Sequence, residues 1–386
     1  MIKGNLWRLW PLVMGTFALG LDAYVLAGLL PTMAKSLHTT QASVGLGVAL
    51  FTAAYAVSAP ILAPVFASST SARFALLSGI VIFIGGNAIT MLSHSLNWLL
   101  FSRVCAGCGA GIFSPLTSAC AAAMVEESHK GRALALVLAG LSVGTALGVP
   151  AGLMVENAFG WRTTIGLITL VGIISMTGML MNKLMFSATK AAPLKERLSA
   201  LTSRVTAMTL TVTLLTGISS LGLYTYIAQI STDKGMGQEI PLLIWFWGIG
   251  GLIGAMFIGQ IIDRLMSPWL TTLILIILLT SSFVAFGYGS LYICLAGTLF
   301  WGLAGWSSIA PQQHSLIKHA PEHATSLIGW NSSANYAGGS IGVFIGSTIL
   351  STPLLSDSLP LFAILVALLA LIIHLMKKFI NGTPHH

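Results

Sequence analysis

The segment AGLSVGTALGVPAG, residues 139–152, sets Gly140, Gly144, Gly148 and Gly152 four residues apart inside an apolar run and adds Pro150. In a water-exposed helix each glycine costs about 1 kcal/mol relative to alanine. In hydrocarbon the backbone amides have no water to turn to, so the helix persists despite its glycines. A four-residue period keeps them on one slowly drifting face, where a second backbone can come close. The stretch therefore reads as a membrane helix with a smooth contact surface against which another helix can slide or rock. Pro150 removes one backbone donor and is expected to bend the helix in its outer half.

The rest of the chain agrees. Of 386 residues, 55% are hydrophobic and 7% charged, with a mean hydropathy of +0.90. A soluble domain with so few polar side chains could not cover its surface. Apolar runs of about 20 residues, the length that crosses a bilayer, recur near 8–30, 42–66, 74–93, 97–123, 132–156, 162–182, 205–230, 241–262, 269–288, 290–313, 324–350 and 357–376. They lack the period-two alternation of barrel strands. The expected fold is an all-α membrane protein of twelve transmembrane helices. The first run lacks a small-residue cleavage site and reads as a retained helix.

Orientation follows from the basic residues. With the N-terminus in the cytoplasm, 14 Lys and Arg fall on the inner side, and only Lys35, Arg162 and Lys234 on the outer. Both termini are then cytoplasmic. The net charge of +8 is explained by topology, and no nucleic-acid partner is implied. The longest polar connector, residues 183–204, divides the chain into six-helix halves, 1–182 and 205–386. The halves echo each other as an internally repeated transporter does. Span eleven carries Gly338, Gly342 and Gly346 in NYAGGSIGVFIGST, and span eight ends in GQIIDR, with Gly259, Asp263 and Arg264, where span two ends in PVFASSTSAR.

Charge is scarce inside the spans. Nine of the ten acids fall near one face or the other, and Asp22 alone lies well inside a span. Helical rise puts it about 12 Å below the outer end of span one, and Arg103 about 8 Å below the outer end of span four. An intramembrane carboxylate is expensive and marks function by default. A facing guanidinium favours its ionised form and burial opposes it, so Asp22, paired with Arg103, is the expected proton carrier. A static pair that only fastens helices one and four is the competing reading.

Phe51, Tyr55, Tyr224, Tyr226, Gln229 and Trp301, with Asn331 and Asn335 one helical turn apart, are candidate walls of a solute cavity, although each aromatic suits packing equally well. His314, near the inner end of span ten, reads as interfacial. Cys105, Cys108, Cys120 and Cys294 all fall inside spans, and the Cys105-x-x-Cys108 pair lacks a second ligand pair, so no metal is expected. G-x-S-x-G occurs at Ser142 and Ser340, but within helices and without the strand-to-helix elbow or deep histidine of a serine hydrolase. No phosphate-binding Gly-Lys-Ser/Thr loop supports ATP-driven pumping. No cofactor is called for.

The glycine segment resembles the fifth-helix motif of drug–proton antiporters in the major facilitator superfamily, in the variant of bacterial purine, arabinose and chloramphenicol efflux permeases, with a closing Gly160-Trp161-Arg162. LDAYVLAGLLPTMA (21–34) is similar to the first-helix motif, FSRVCAGCGAGIFSP (101–115) to the fourth-helix R-x-x-x-G with Arg103 and Gly107, and TYIAQI (225–230) to a seventh-helix Tyr-Ile-x-Pro with Gln229 in place of proline. The acidic latch of the family's loop between helices two and three is missing, and only Gly259, Asp263 and Arg264 keep its counterpart. The resemblance implies two pseudo-symmetric bundles that export a small drug-like or metabolite solute against protons in a bacterial inner membrane, and because twelve helices in two halves already enclose a cavity, a monomer is expected. Proton-coupled or facilitative import on the same fold remains open.

Overall fold

A computed structural model describes residues 6–69, 72–126, 129–182, 194–262, 266–352 and 358–381. The chain forms two compact units, Met1–Ala191 and Ala192–His386. In the first, α1 is Leu6–Ser36, α2 Gln41–Phe66, α3 Arg73–Leu92, α4 Leu96–Ala123, α5 Lys130–Phe159 and α6 Trp161–Met181. In the second, α7 is Arg204–Thr225, α8 Gly237–Gln260, α9 Pro268–Tyr288 and α10 Leu291–His319, followed by α11, Ala324–Leu350, and α12, Leu359–Asn381. Eleven of the described helices are long and apolar enough to cross a membrane. At 27 residues α11 has the length as well, but its serines, glycines and asparagines dilute its apolar character. A short helix, Leu194–Ser199, precedes α7.

Helix ends follow local chemistry. Thr40 caps α2 by accepting from the Ser43 amide at 3.1 Å, and Ser267 caps α9 through the Leu270 amide at 3.3 Å, as short hydroxyl side chains do at N-termini. Gly160, at φ 85°, makes the sharp turn between α5 and α6 in a backbone region that side chains disfavour.

Several of the expected spans carry local irregularities. Pro150 does not simply bend α5. Residues Gly144–Gly148 widen into a π-turn before α-helix resumes at Val149, which accommodates the missing donor and the ring together. Pro60 sits in a similar turn, Ser58–Leu62, in α2. The seventh span stops at Thr225 and a separate helix, Ile227–Asp233, follows. The tenth is interrupted at Ser308 and runs on to His319.

The glycine ladders pack within each unit. A Cβ on Gly144 would strike the Phe17 carbonyl of α1, and one on Gly140 would lie 2.5 Å from the Val13 carbonyl. Thr145 donates to the Gly20 carbonyl at 3.1 Å, and Thr16 to that of Val137 at 2.9 Å. In the second unit Gly338 and Gly342 meet the Leu214 and Ile218 carbonyls of α7. The same logic joins α2 to α4, where Gly107 abuts Phe51, and α8 to α10, where Gly302 abuts Trp247.

Candidate functional site

Asp22 and Arg103 meet in the interior of the first unit, each 1% exposed. The guanidinium is bidentate on the carboxylate, with Nη1 on Oδ1 at 2.9 Å and Nη2 on Oδ2 at 3.1 Å. Asn87 of α3 completes the cluster by donating to Asp22 Oδ2 at 3.3 Å and accepting from Arg103 Nη1 at 3.2 Å. Phe51 of α2 lies under the guanidinium, 4.5 Å from ring centroid to Cζ, a cation–π contact. Four helices thus converge on one buried ion pair.

Local sequence makes this convergence possible. Gly47 faces the Arg103 stem, and its added Cβ would lie 3.1 Å from Cγ, while Gly86 lets the α4 backbone approach at Ala106. Arg103 Nε is buried without a partner, so the pair and Asn87 do not exhaust the donors of the guanidinium. Bidentate geometry at low dielectric gives a strong contact, and loss of either charge leaves the other stranded. Asn87 was not singled out in the sequence, although it is the lone amide of α3. Glu156, expected at the outer boundary, is only 9% exposed inside α5, so Asp22 is not the sole shielded acid of the first unit.

Tyr55 is buried at 8% exposure beside Gly111 of α4, whose Cβ would lie 2.9 Å from the Tyr55 carbonyl.

The second unit gathers several of its aromatics into one cluster. Tyr224 stacks at 4.1 Å on Trp247 and meets Trp301 edge-on at 6.2 Å. Phe283 and Phe286 pack on Trp301 at 5.4 and 5.6 Å, and the Trp301 indole donates to Ser220 at 2.8 Å. Tyr226, fully buried, donates to the Val343 carbonyl at 3.0 Å. Gln229, half-buried in the helix after the break, donates to Asp233 at 3.3 Å.

Asn331 and Asn335 diverge in environment. Asn331 is fully buried and its Oδ1 accepts from Thr213 at 2.6 Å, while Gln312 Oε1 lies against the same hydroxyl. Asn335 is half-buried, and its backbone carbonyl is the group that Gly217 accommodates. His314 is exposed, as an interfacial residue would be. Gly259 has open space where a Cβ would stand. Asp263 and Arg264 lie outside the described residues.

Ser142 and Ser340 both lie within helices, α5 and α11, which removes the geometry a nucleophile elbow needs. Among the described residues no group of three or more His, Cys, Asp and Glu could hold a metal ion. The four cysteines are free thiols.

Comparison with known proteins adds four findings. The sequence profile of the Major Facilitator Superfamily matches residues 12–343. The chain is 29% identical over 355 residues to the uncharacterized MFS-type transporter YbcL of Bacillus subtilis, covering 89% of this chain and 88% of that protein. It is 29% identical over 262 residues to a chloramphenicol resistance protein of Streptomyces lividans, covering 66% of this chain and 67% of that one. Among solved structures, the nucleoside transporter NupG superposes with a TM-score of 0.78 at 13% identity, covering 97% of this chain and all of the other. That likeness speaks for the fold.

Proposed function

Because the chain belongs to the major facilitator superfamily and is a multi-pass membrane transporter, we propose that it exports a small organic solute from a bacterial cytoplasm across the inner membrane in exchange for protons, with Asp22 as proton carrier. The observation that carries this reading is the buried ion pair. Asp22 and Arg103 are joined by two short hydrogen bonds, and Asn87 binds both partners.

The chemistry follows from charge balance. While Asp22 is ionised, it holds α1 to α4 through Arg103 and to α3 through Asn87. A proton on the carboxyl removes one charge, converts one acceptor oxygen into a donor and breaks the two-pronged geometry. Arg103 must then find another partner, because an unpaired buried charge is costly. A solute or the opposite conformation supplies it. Proton binding and helix contact are therefore linked at one residue.

The energy suffices. A proton entering down 100 mV releases ~2.3 kcal/mol, and tenfold accumulation requires ~1.4 kcal/mol. One proton per neutral solute supports a gradient of roughly fifty-fold. The direction of transport is favoured by the chloramphenicol resistance relative. The two-unit chain acts as a monomer in this reading.

The test is transport in proteoliposomes with an imposed pH gradient of either sign. Asp22→Asn is expected to abolish uphill movement while the protein still folds and binds its solute. Undiminished uphill transport by that variant would eliminate the proposal. Accumulation along the direction of proton flow would instead identify an importer.

A further inference from the structure

Lys377 lies near the end of α12, on the side that the Lys and Arg asymmetry assigns to the cytoplasm, yet its side chain turns into the second unit and is 5% exposed. Its ammonium donates to Thr209 Oγ1 of α7 at 2.7 Å and to Ser315 Oγ of α10 at 2.9 Å. Both acceptors are neutral. No carboxylate of the described residues lies within ion-pair distance of it. Two hydroxyls leave one of its three donors over and leave the charge unbalanced, and taking an ion out of water costs several kcal/mol even after relaxation.

The same corner contains a cavity of about 10 Å³ lined by Lys377, His374, Thr209, Thr272, Gln312 and Ser315. That is room for one water-sized group. Gln312 is 2% exposed, and its Nε2 is buried without a partner. His374, 3% exposed, stacks on Trp269 at 5.3 Å and bonds the Trp269 carbonyl through Nε2 at 2.9 Å, so the imidazole is fixed against α9. At the rim the exposed Lys378 places its ammonium 4.7 Å from the Trp269 ring. An aromatic beside basic side chains at the cytoplasmic boundary is the composition that meets lipid phosphates.

We propose that this corner of the second unit binds an anionic phosphate oxygen, held by Lys377 and surrounded by Ser315, Thr209 and Gln312. The oxygen comes from the headgroup of an anionic inner-leaflet lipid entering beside Trp269 and Lys378, or from free phosphate. The site balances a charge that the described residues leave unpaired, and it is independent of Asp22, which lies in the other unit.

The experiment measures the unfolding midpoint of the full chain in detergent and phosphate-free buffer, with phosphatidylglycerol, inorganic phosphate or phosphatidylcholine added. Phosphatidylglycerol, and not phosphatidylcholine, is expected to raise the wild-type midpoint by about 2–4 °C. An equal rise with inorganic phosphate identifies the free ion as the source, and a rise with phosphatidylglycerol alone identifies the lipid. Lys377→Met is expected to begin at or above the wild-type midpoint, because an apolar replacement removes the unpaired charge, and to show no response. Lys377→Arg and Asp22→Asn should respond as wild type does. Native mass spectrometry of the wild-type protein provides a second measurement, with one phosphatidylglycerol expected to survive delipidation. The site is refuted if neither anion raises the wild-type midpoint above that in phosphatidylcholine, if Lys377→Met keeps the full response, or if no lipid is retained and phosphate has no effect.

Discussion

Gly144 stands so close to Phe17 that a Cβ on the glycine would collide with the phenylalanine's backbone carbonyl, and Gly342 stands in the same relation to Ile218. The helix pair α1–α5 is repeated as α7–α11, so the glycine spacing of both halves encodes the same close approach. A carbonyl in a hydrogen-bonded helix cannot swing aside as a side-chain end can. Gly144→Ala is therefore expected to destabilise the protein by about 1–3 kcal/mol and Gly144→Leu to prevent accumulation of folded protein. Gly85, with no neighbour where a Cβ would stand, should accept alanine with little change. Thermal unfolding in detergent checks all three.

The Asp22–Arg103 pair makes a prediction about stability separate from transport. Arg103→Ala strands the carboxylate and is expected to cost about 3–5 kcal/mol. The double variant Asp22→Leu with Arg103→Met should recover much of that loss, since both charges leave together. Neither protein should transport uphill. If the double variant were no more stable than Arg103→Ala alone, the pair would not be the electrostatic unit described.

Tyr226 and Trp301 separate packing from solute contact. Tyr226 donates to Val343 and Trp301 to Ser220, and both residues are fully buried. Tyr226→Phe and Trp301→Phe are each expected to lower stability by about 0.5–1.5 kcal/mol per lost hydrogen bond, with solute affinity unchanged. A tenfold weakening of solute binding with unaltered unfolding would assign them to the transport path instead.

Arg162 fastens three segments of the first unit. It donates to Ser36 Oγ at 3.0 Å and to the Ser93 carbonyl at 2.8 Å while lying 4.2 Å over Trp161. Arg162→Lys keeps the charge and loses the fork, so a drop of about 1–2 kcal/mol is expected. Faster amide exchange should appear at the ends of α1 and α3.

The fold was legible in the sequence because hydrocarbon imposes one requirement, and length and polarity alone reveal where the chain meets it. The Asp22–Arg103 contact was legible for a related reason: two buried charges at similar depth in a low-dielectric interior seek each other. Asn87 was not, because a single amide among apolar residues has no periodicity to betray its direction. Lys377 is one of the 14 basic residues that the sequence puts on the inner side, and sequence cannot distinguish a side chain that snorkels outward from one that folds back. The break at Tyr226 was invisible too, since the apolar run continues through Ile230 while the backbone changes course.

The widened turn Gly144–Gly148 also sets the angular phase of everything beyond it. Each residue of an α-helix advances the chain by about 100°, and a π-turn holds one residue more than the α-helical turn it replaces, so deleting one residue here would close the turn and leave the outer piece of α5 in phase. The same deletion in the regular helix between the turn and Gly152 would swing that glycine by about 100°, away from the Thr164 and Val25 that it faces. The wide turn is thus the place in α5 where the count of residues can fall by one without turning the outer helix away from its neighbours.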